Sequence, residues 1–284
     1  MKRARDVYED SASERATKVQ NFIKKLHFSV PLCRLQEQNE RRPCPKCHKR
    51  RLYYCYDCLT VTHPESHPKA LSLPLNVFVI LHPGELRSKS TSIAASTISP
   101  DLHIIEYPEI PTDLEPENTL VLYPSNDSVE LNAVEHLERY KNVVFVESTW
   151  QKSKSIAHDS RLKHFKRVRI KAQTSLFWRF QNNDPTYLAT VEAIYYTLRE
   201  YVIQMNKNKT TKSGDSEVHD DETLYAGEVD DILFYYINQY IGVQRRYSDG
   251  SSPLKYTDRH FQGYILENTS WDALIAPPDD ESNN

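Results

Sequence analysis

Asn142-Val143-Val144-Phe145-Val146-Glu147-Ser148-Thr149-Trp150 is the stretch on which the reading of this chain turns. The residues up to Val146 carry no charge and are rich in β-branched side chains, the composition of a short buried strand. The chain then delivers a carboxylate, two hydroxyls and an indole at that strand's C-terminal end. In open α/β sheets this end is where ligands bind. A Glu beside a Trp is costly to bury there unless a ligand or partner uses them.

Working outward, residues 73–82 read as another buried strand, and Ile104-Ile105 and Leu120-Val121-Leu122-Tyr123 as two more. Residues 89–95 should begin a helix, opened by Ser88, Ser90 and Thr91. Residues 129–140 carry Leu131, Val134 and Leu137 at helical spacing. Strand and helix alternation of this kind predicts an α/β fold: a mainly parallel sheet with helices on both faces. Residues 187–202 form an amphipathic helical pattern opened by Asp184-Pro185-Thr186. Residues 230–243 resume one with Ile232, Leu233, Tyr236, Ile237 and Tyr240. Between them, residues 206–223 are polar and aperiodic, the composition of a flexible insertion. The expected organisation is a polar arm with a short helix (residues 1–38, Phe22, Ile23 and Leu26 on one face), a metal-held module (39–70), a catalytic domain (71–246), and a C-terminal extension with a disordered tail (247–284).

The chain has 284 residues, 39% hydrophobic and 26% charged, ordinary for a globular protein. No apolar run is long enough to span a bilayer. The polar start, Met1-Lys2-Arg3-Ala4-Arg5-Asp6, leads into no signal-peptide core, so an intracellular protein is expected. The net charge of −3 hides an uneven distribution. Residues 152–171 hold Lys152, Lys154, Arg161, Lys163, Lys166, Arg167, Arg169 and Lys171 against a lone Asp159. Local patches of this kind matter more for polyanion binding than the total does.

Cys44-Pro45-Lys46-Cys47 and Cys55-Tyr56-Asp57-Cys58 are two C-x2-C knuckles separated by seven residues. Each supplies two thiolates from one tight turn, so together they close a tetrahedral structural zinc site. Paired disulfides and a redox role are the alternatives; an intracellular setting argues against the first and the doubling of the motif against the second. His48, His63 and His67 stand in reserve as ligands, and Cys33 reads as a free thiol. Such a module would present Arg41, Arg42, Lys46, Lys49, Arg50 and Arg51 beside Tyr53, Tyr54 and Tyr56. Basic groups interleaved with aromatics suit RNA better than duplex DNA.

Two further polar turns follow strands: His82-Pro83-Gly84-Glu85, running on to Lys89-Ser90-Thr91, and Tyr123-Pro124-Ser125. With Glu147-Ser148-Thr149-Trp150 they make three, and three on neighbouring strands would converge on one crevice. Glu192, in Thr190-Val191-Glu192-Ala193, has apolar neighbours on both sides; a structural salt bridge and a ligand contact are both open for it. A metal-dependent hydrolase is a poor reading, because His82, Glu85 and Glu147 lie in separate turns without helical ligand spacing.

His82-Pro83-x-Glu85 with Lys89-Ser90-Thr91, then Tyr123-Pro124-Ser125, Ser148-Thr149-Trp150 and Thr190-Val191-Glu192-Ala193, resemble the DTW-domain proteins, and the cysteine knuckles fit that family's N-terminal region. The resemblance runs from about Arg42 to about Arg246. It is strongest to the eukaryotic members, through Phe177-Trp178-Arg179 and Leu233-Phe234-Tyr235-Tyr236. It implies a SPOUT-like α/β fold, often knotted in its C-terminal part. It implies transfer of the 3-amino-3-carboxypropyl group of S-adenosylmethionine to N3 of a uridine in tRNA. Lys89, Ser90 and Thr91 would hold the cofactor's carboxylate and Tyr123, Pro124 and Ser125 its adenosine side. His82, Glu85, Ser148, Thr190 and Glu192 would complete the cofactor site. Glu147 would be the base, with Thr149 and Trp150 beside it. Arg179, with the stretch holding Arg167 and Arg169, would grip tRNA phosphates, as would Arg50 and Arg51 on the zinc module. A nuclear location, with the cytoplasm as alternative, goes with the same resemblance. The family's motif begins with Asp where this chain has Glu147, a carboxylate moved outward by one methylene. The competing readings are a SPOUT-type RNA methyltransferase and a catalytically inactive zinc-ribbon adaptor that binds RNA.

Overall fold

The computed structural model describes residues 11–177, 186–212, 220–248, 264–266 and 269–275. Ser11 caps α1 (Ala12–Lys24) in a capping box with Glu14, satisfying two N–H groups that the first turn leaves free. One face of α1 sets Phe22 against Tyr195 and Tyr196 and buries Ile23. A short α2 (Leu32–Gln36) buries Leu32 and Leu35.

The cysteine-rich segment folds as two small hairpins. β1 (Arg42–Pro43) pairs antiparallel with β2 (Arg50–Arg51), and β3 (Tyr54–Cys55) with β4 (Thr60–Val61). His48 and Leu59, each directly after the second cysteine of a knuckle, adopt φ of 60° and 51°. The two C-x2-C turns therefore close in the same way. Tyr53 and Tyr54 pack on Tyr235 of α6 (Phe234–Ser248), so these rings anchor the module to the rest of the protein. Tyr56 lies under the Arg51 guanidinium. The aromatic surface expected for RNA is thus spent on internal packing.

The main sheet has six strands: β5 (Asn76–Leu81), β6 (Leu102–Glu106), β7 (Thr119–Leu122), β8 (Val129–Glu130), β9 (Asn142–Glu147) and β10 (Lys166–Arg169), in the order β6-β5-β9-β7-β10-β8. Every neighbouring pair is parallel. β9 sits between β5 and β7, with Leu81 opposite Glu147 and Val121 opposite Val144. Side chains alternate across it as period two requires. Val143 and Phe145 join the larger core with Val77 and Val79, under α3 (Ser92–Ser96), α5 (Thr190–Lys212) and α6. Val144 joins Ile80, Val121 and Ile156 of α4 (Trp150–Ala157) on the other face. Burying each such side chain contributes roughly 1.5–3 kcal/mol. Burial on both faces explains the unbroken apolar run of β9.

Four expectations need correction. Residues 129–140 are not an α-helix but β8 followed by two 3-10 turns, Leu131–Ala133 and Leu137–Arg139. The strict three-residue spacing of Leu131, Val134 and Leu137 matches a 3-10 repeat, and His136 breaks the run with a left-handed φ of 52°. The helix expected from Lys89 starts later: Arg87–Lys89 is a 3-10 turn, and α3 begins at Ser92 because Ser90 and Thr91 are engaged elsewhere. α5 begins at Thr190 and runs through Lys212, so the first part of the supposed insertion is helical. β10 is not legible as a strand, because its four residues are mostly basic and its two buried positions, Arg167 and Val168, are adjacent and show no alternation. Asp184 and Pro185, expected to open α5, lie outside the described residues.

Candidate functional site

β5, β9 and β7 are adjacent, so the turns that leave their C-terminal ends share one edge of the sheet. They surround an open cavity of about 1130 Å³. Glu85, Lys89, Ser90 and Thr91 line it from the first turn, Tyr123 and Pro124 from the second, and Glu147, Ser148 and Thr149 from the third. Thr190 adds the start of α5, and Phe145 the floor. The volume suits an organic ligand with part of a second reactant.

The turns are tied to one another. The His82 N–H donates to the Glu147 carbonyl (3.0 Å), and the Gly84 N–H donates to His82 Nδ1 (2.9 Å). The Thr149 N–H donates to Glu85 Oε1 (3.2 Å), so Glu85 supplies an acceptor at the start of α4. Gly84 has a steric reason: a Cβ there would lie 3.1 Å from both the His82 ring and Lys152 Nζ. The Val191 N–H donates to Thr91 Oγ1 (3.3 Å), joining the first turn to α5.

Glu147 is the centre of this web. Its carboxylate accepts from Ser90 Oγ (2.8 Å), the Thr91 N–H (3.0 Å) and Ser92 Oγ. Burial pushes its pKa above the ordinary value, while the Ser92 and Ser90 hydroxyls and the Thr91 N–H pull it back. A general base needs a lone pair turned toward the substrate; here three donors fill three of the carboxylate's about four acceptor sites, two on Oε2 and one on Oε1. Ser92, fully buried, was missed as a site residue; its signal is its place two residues after Ser90, where both hydroxyls reach one carboxylate.

Glu192 is equally sealed but does not line the cavity. It accepts from Ser175 Oγ (2.6 Å), the Leu176 N–H (2.6 Å) and the Ala189 N–H (2.7 Å). It forms no salt bridge among the described residues, and it holds residues 175–176 to the start of α5. His82 and Ser125 also stay off the lining, Ser125 Oγ donating to Asp127 Oδ1 (2.6 Å). Trp150 is the first residue of α4.

Lys89, Lys152 and Lys154 all line the cavity and form no ion pair among the described residues. In the sequence Lys152 and Lys154 belong to a basic stretch; their position just after the Ser148-Thr149-Trp150 turn is what brings them to the site. Of the arginines assigned to RNA, Arg50 is exposed on β2. Arg51 is held by Asp57 (2.8 Å). Arg167 is buried, donating to the Ala157 carbonyl (2.7 Å), and so braces α4 instead of facing a polyanion. Arg169 pairs with Glu130 (2.7 Å). Arg179 lies outside the described residues.

The family description "DTW domain" matches residues 42–223, from the first cysteine hairpin through the crevice and α5. The chain belongs to the DTW domain family. Among curated DTW relatives, tRNA-uridine aminocarboxypropyltransferase 1 of Mus musculus is 29% identical over 258 residues, 75% of this chain and 80% of its own. The Homo sapiens protein of the same name is 28% identical, covering 72% and 77%. tRNA-uridine aminocarboxypropyltransferase 2 of Drosophila melanogaster is 30% identical over 44% of this chain and 52% of its own. The solved structure of the SAM-dependent rRNA:acp-transferase Tsr3 from Vulcanisaeta distributa aligns with a TM-score of 0.37 at 17% identity, over 63% of this chain and 85% of that one.

The four cysteines of this DTW protein lie together, with their Sγ atoms all within 4.8 Å of one another. Cys47 and Cys55 are 3.7 Å apart, far beyond the about 2.05 Å of a disulfide, and all five cysteines are unbridged. Tetrahedral metal–sulfur bonds of about 2.3 Å space sulfurs at about this distance, so the cluster can hold a metal ion. Of the reserve histidines, His63 is bonded to the Glu40 carbonyl and His67 to Tyr235 and Thr97, and His48 is exposed. Cys33 sits in α2, against the core. No described helix is long and apolar enough to cross a membrane.

Proposed function

We propose that this chain is a tRNA-uridine aminocarboxypropyltransferase, moving the 3-amino-3-carboxypropyl group of S-adenosylmethionine to N3 of a uridine in tRNA with release of methylthioadenosine. The observation that carries the reading is the convergence of three strand-end turns on one open cavity, in a member of a family whose curated relatives bear that activity in their names.

The chemistry needs position more than reactive groups. The sulfonium activates several carbons, and the site must turn the carboxypropyl carbon, not the methyl, toward N3. Lys89, without an ion pair among the described residues, is placed to receive the cofactor's carboxylate. Tyr123 and Pro124 offer a flat apolar wall for its adenosine. Lys152 and Lys154 stand where phosphates flanking the uridine would pass. Glu147 holds residues 90–92 in the shape that this grip requires. The four thiolates belong to zinc, whose usual structural set they form. The SPOUT-like, often knotted form of the fold goes with this reading, and the all-parallel six-stranded sheet is compatible with it. A nuclear location goes with it too, checked by imaging of the tagged protein.

The test is purified protein with unmodified tRNA and labelled cofactor. Methylthioadenosine and labelled tRNA are expected. S-adenosylhomocysteine instead would make the protein a methyltransferase, and the absence of cofactor binding would make it an adaptor. Glu147→Gln is expected to lose cofactor affinity together with transfer. Lost transfer at unchanged affinity would return Glu147 to the role of base.

A further inference from the structure

We infer that Arg87 is a positioning residue that couples the four-cysteine module to the cofactor loop. Arg87 opens the 3-10 turn Arg87–Lys89, in the middle of the segment that lines the cavity on either side of it. Its own side chain points elsewhere. Nε donates to the Tyr56 carbonyl (2.9 Å), and a terminal nitrogen donates to Glu106 Oε1 (2.6 Å) at the end of β6. Tyr56 lies between Cys55 and Cys58, inside the second knuckle. One guanidinium thus bridges a metal knuckle, the main sheet and the cofactor loop. The rigid fork of Arg suits this, because it serves two acceptors in fixed directions.

The knuckle end of the bridge is itself braced. Arg51 lies 4.1 Å over the Tyr56 ring and pairs with Asp57 (2.8 Å), which also takes Lys49 (3.1 Å). The direction of the Tyr56 carbonyl is set by a turn whose two ends are thiolate ligands. A metal that draws Cys55 and Cys58 together fixes that carbonyl; without it the turn is free to open. At the other end, the Lys89 and Ser90 N–H groups donate to the Leu86 carbonyl (2.7 and 3.1 Å), so movement of Arg87 carries Lys89 and Ser90 with it. Ser90 in turn bonds Glu147. The module therefore acts on the crevice without touching its ligand. This inference rests on the cofactor reading of the cavity given above.

The experiment compares full-length wild type, Arg87→Ala and Arg87→Lys. It measures zinc content, S-adenosylmethionine affinity by calorimetry, and hydrogen exchange of residues 84–91 without ligand. Arg87→Ala is expected to keep wild-type zinc, weaken the cofactor by roughly tenfold, and exchange faster in that loop. Arg87→Lys keeps a cation near Glu106 but loses the fork, so it falls between the two. Chelating zinc from wild type should reproduce the Arg87→Ala loop exchange, and chelating Arg87→Ala should add little. Wild-type loop protection in Arg87→Ala, or in chelated wild type, overturns the coupling. If wild type binds no S-adenosylmethionine, the cofactor reading fails, and the exchange comparison still decides whether Arg87 couples the two parts.

Discussion

Glu147 and Glu192 are two carboxylates in the same electrostatic situation with different work. Each is buried, each accepts three hydrogen bonds from a hydroxyl or hydroxyls and backbone N–H groups, and burial raises the pKa of each. Glu147 stands at the end of β9, where three turns meet, and its donors come from the loop that lines the cavity. Glu192 sits three residues after Ala189 and accepts its N–H, one half of a capping box, while gripping residues 175–176. A buried, perturbed acid is therefore no guide to function on its own. What separates the two is which segment the donors belong to.

Substitutions that break this contrast are ranked by expected effect. Glu147→Ala leaves two hydroxyls and an N–H around an empty place, and cofactor-dependent transfer should fall by at least about 100-fold, on the scale of losing a correctly placed reacting group. Transfer within a few-fold of wild type would remove Glu147 from the site. Glu192→Ala should cost about 1–3 kcal/mol in denaturant unfolding, because its partners are left buried and unpaired. Transfer per folded molecule should stay within a few-fold of wild type; a loss as deep as that of Glu147→Ala would erase the distinction between the two acids.

The third effect is one of pH. Both folded-state pKa values are raised, so both acids keep a proton in the folded chain at pH values where the unfolded chain has released it. Their contribution is complete below the ordinary carboxylate range and is lost as pH rises through the raised values. Glu192→Gln should therefore flatten the fall of unfolding free energy with rising pH, measured as the difference from wild type. An unchanged slope would mean that Glu192 is ionised at no cost. The smallest effect belongs to an exposed control: Arg169→Ala breaks the pair with Glu130 and should cost less than about 1 kcal/mol.

Much of the crevice could be read locally. The polar turns after Leu81, Leu122 and Glu147 announce themselves because a buried strand cannot end in water without a change of composition. The cysteine knuckles are legible for the same local reason, two ligands per tight turn. Arg167 and Tyr54 were misread because side-chain type does not say which way a residue points. Contact with the Ala157 carbonyl turns Arg167 inward, and Tyr235 receives Tyr54. β10 is hidden for a different reason, four residues being too short to show a period, and the 3-10 turns because a three-residue spacing also fits an α-helix.

The sequence by itself determined four of the six strands of the main sheet, the knuckles and the polar turns, because backbone propensity, burial and ligand spacing act within a few residues. Only the tertiary structure decided that β9 lies between β5 and β7, that Ser92 faces Glu147, that Glu192 turns away from the cavity, and that Arg87 reaches Tyr56. Those facts depend on contacts between residues 16 to 66 positions apart in the chain, where no local pattern specifies the partner. The shared edge of three parallel strands is what makes one site of three ordinary turns.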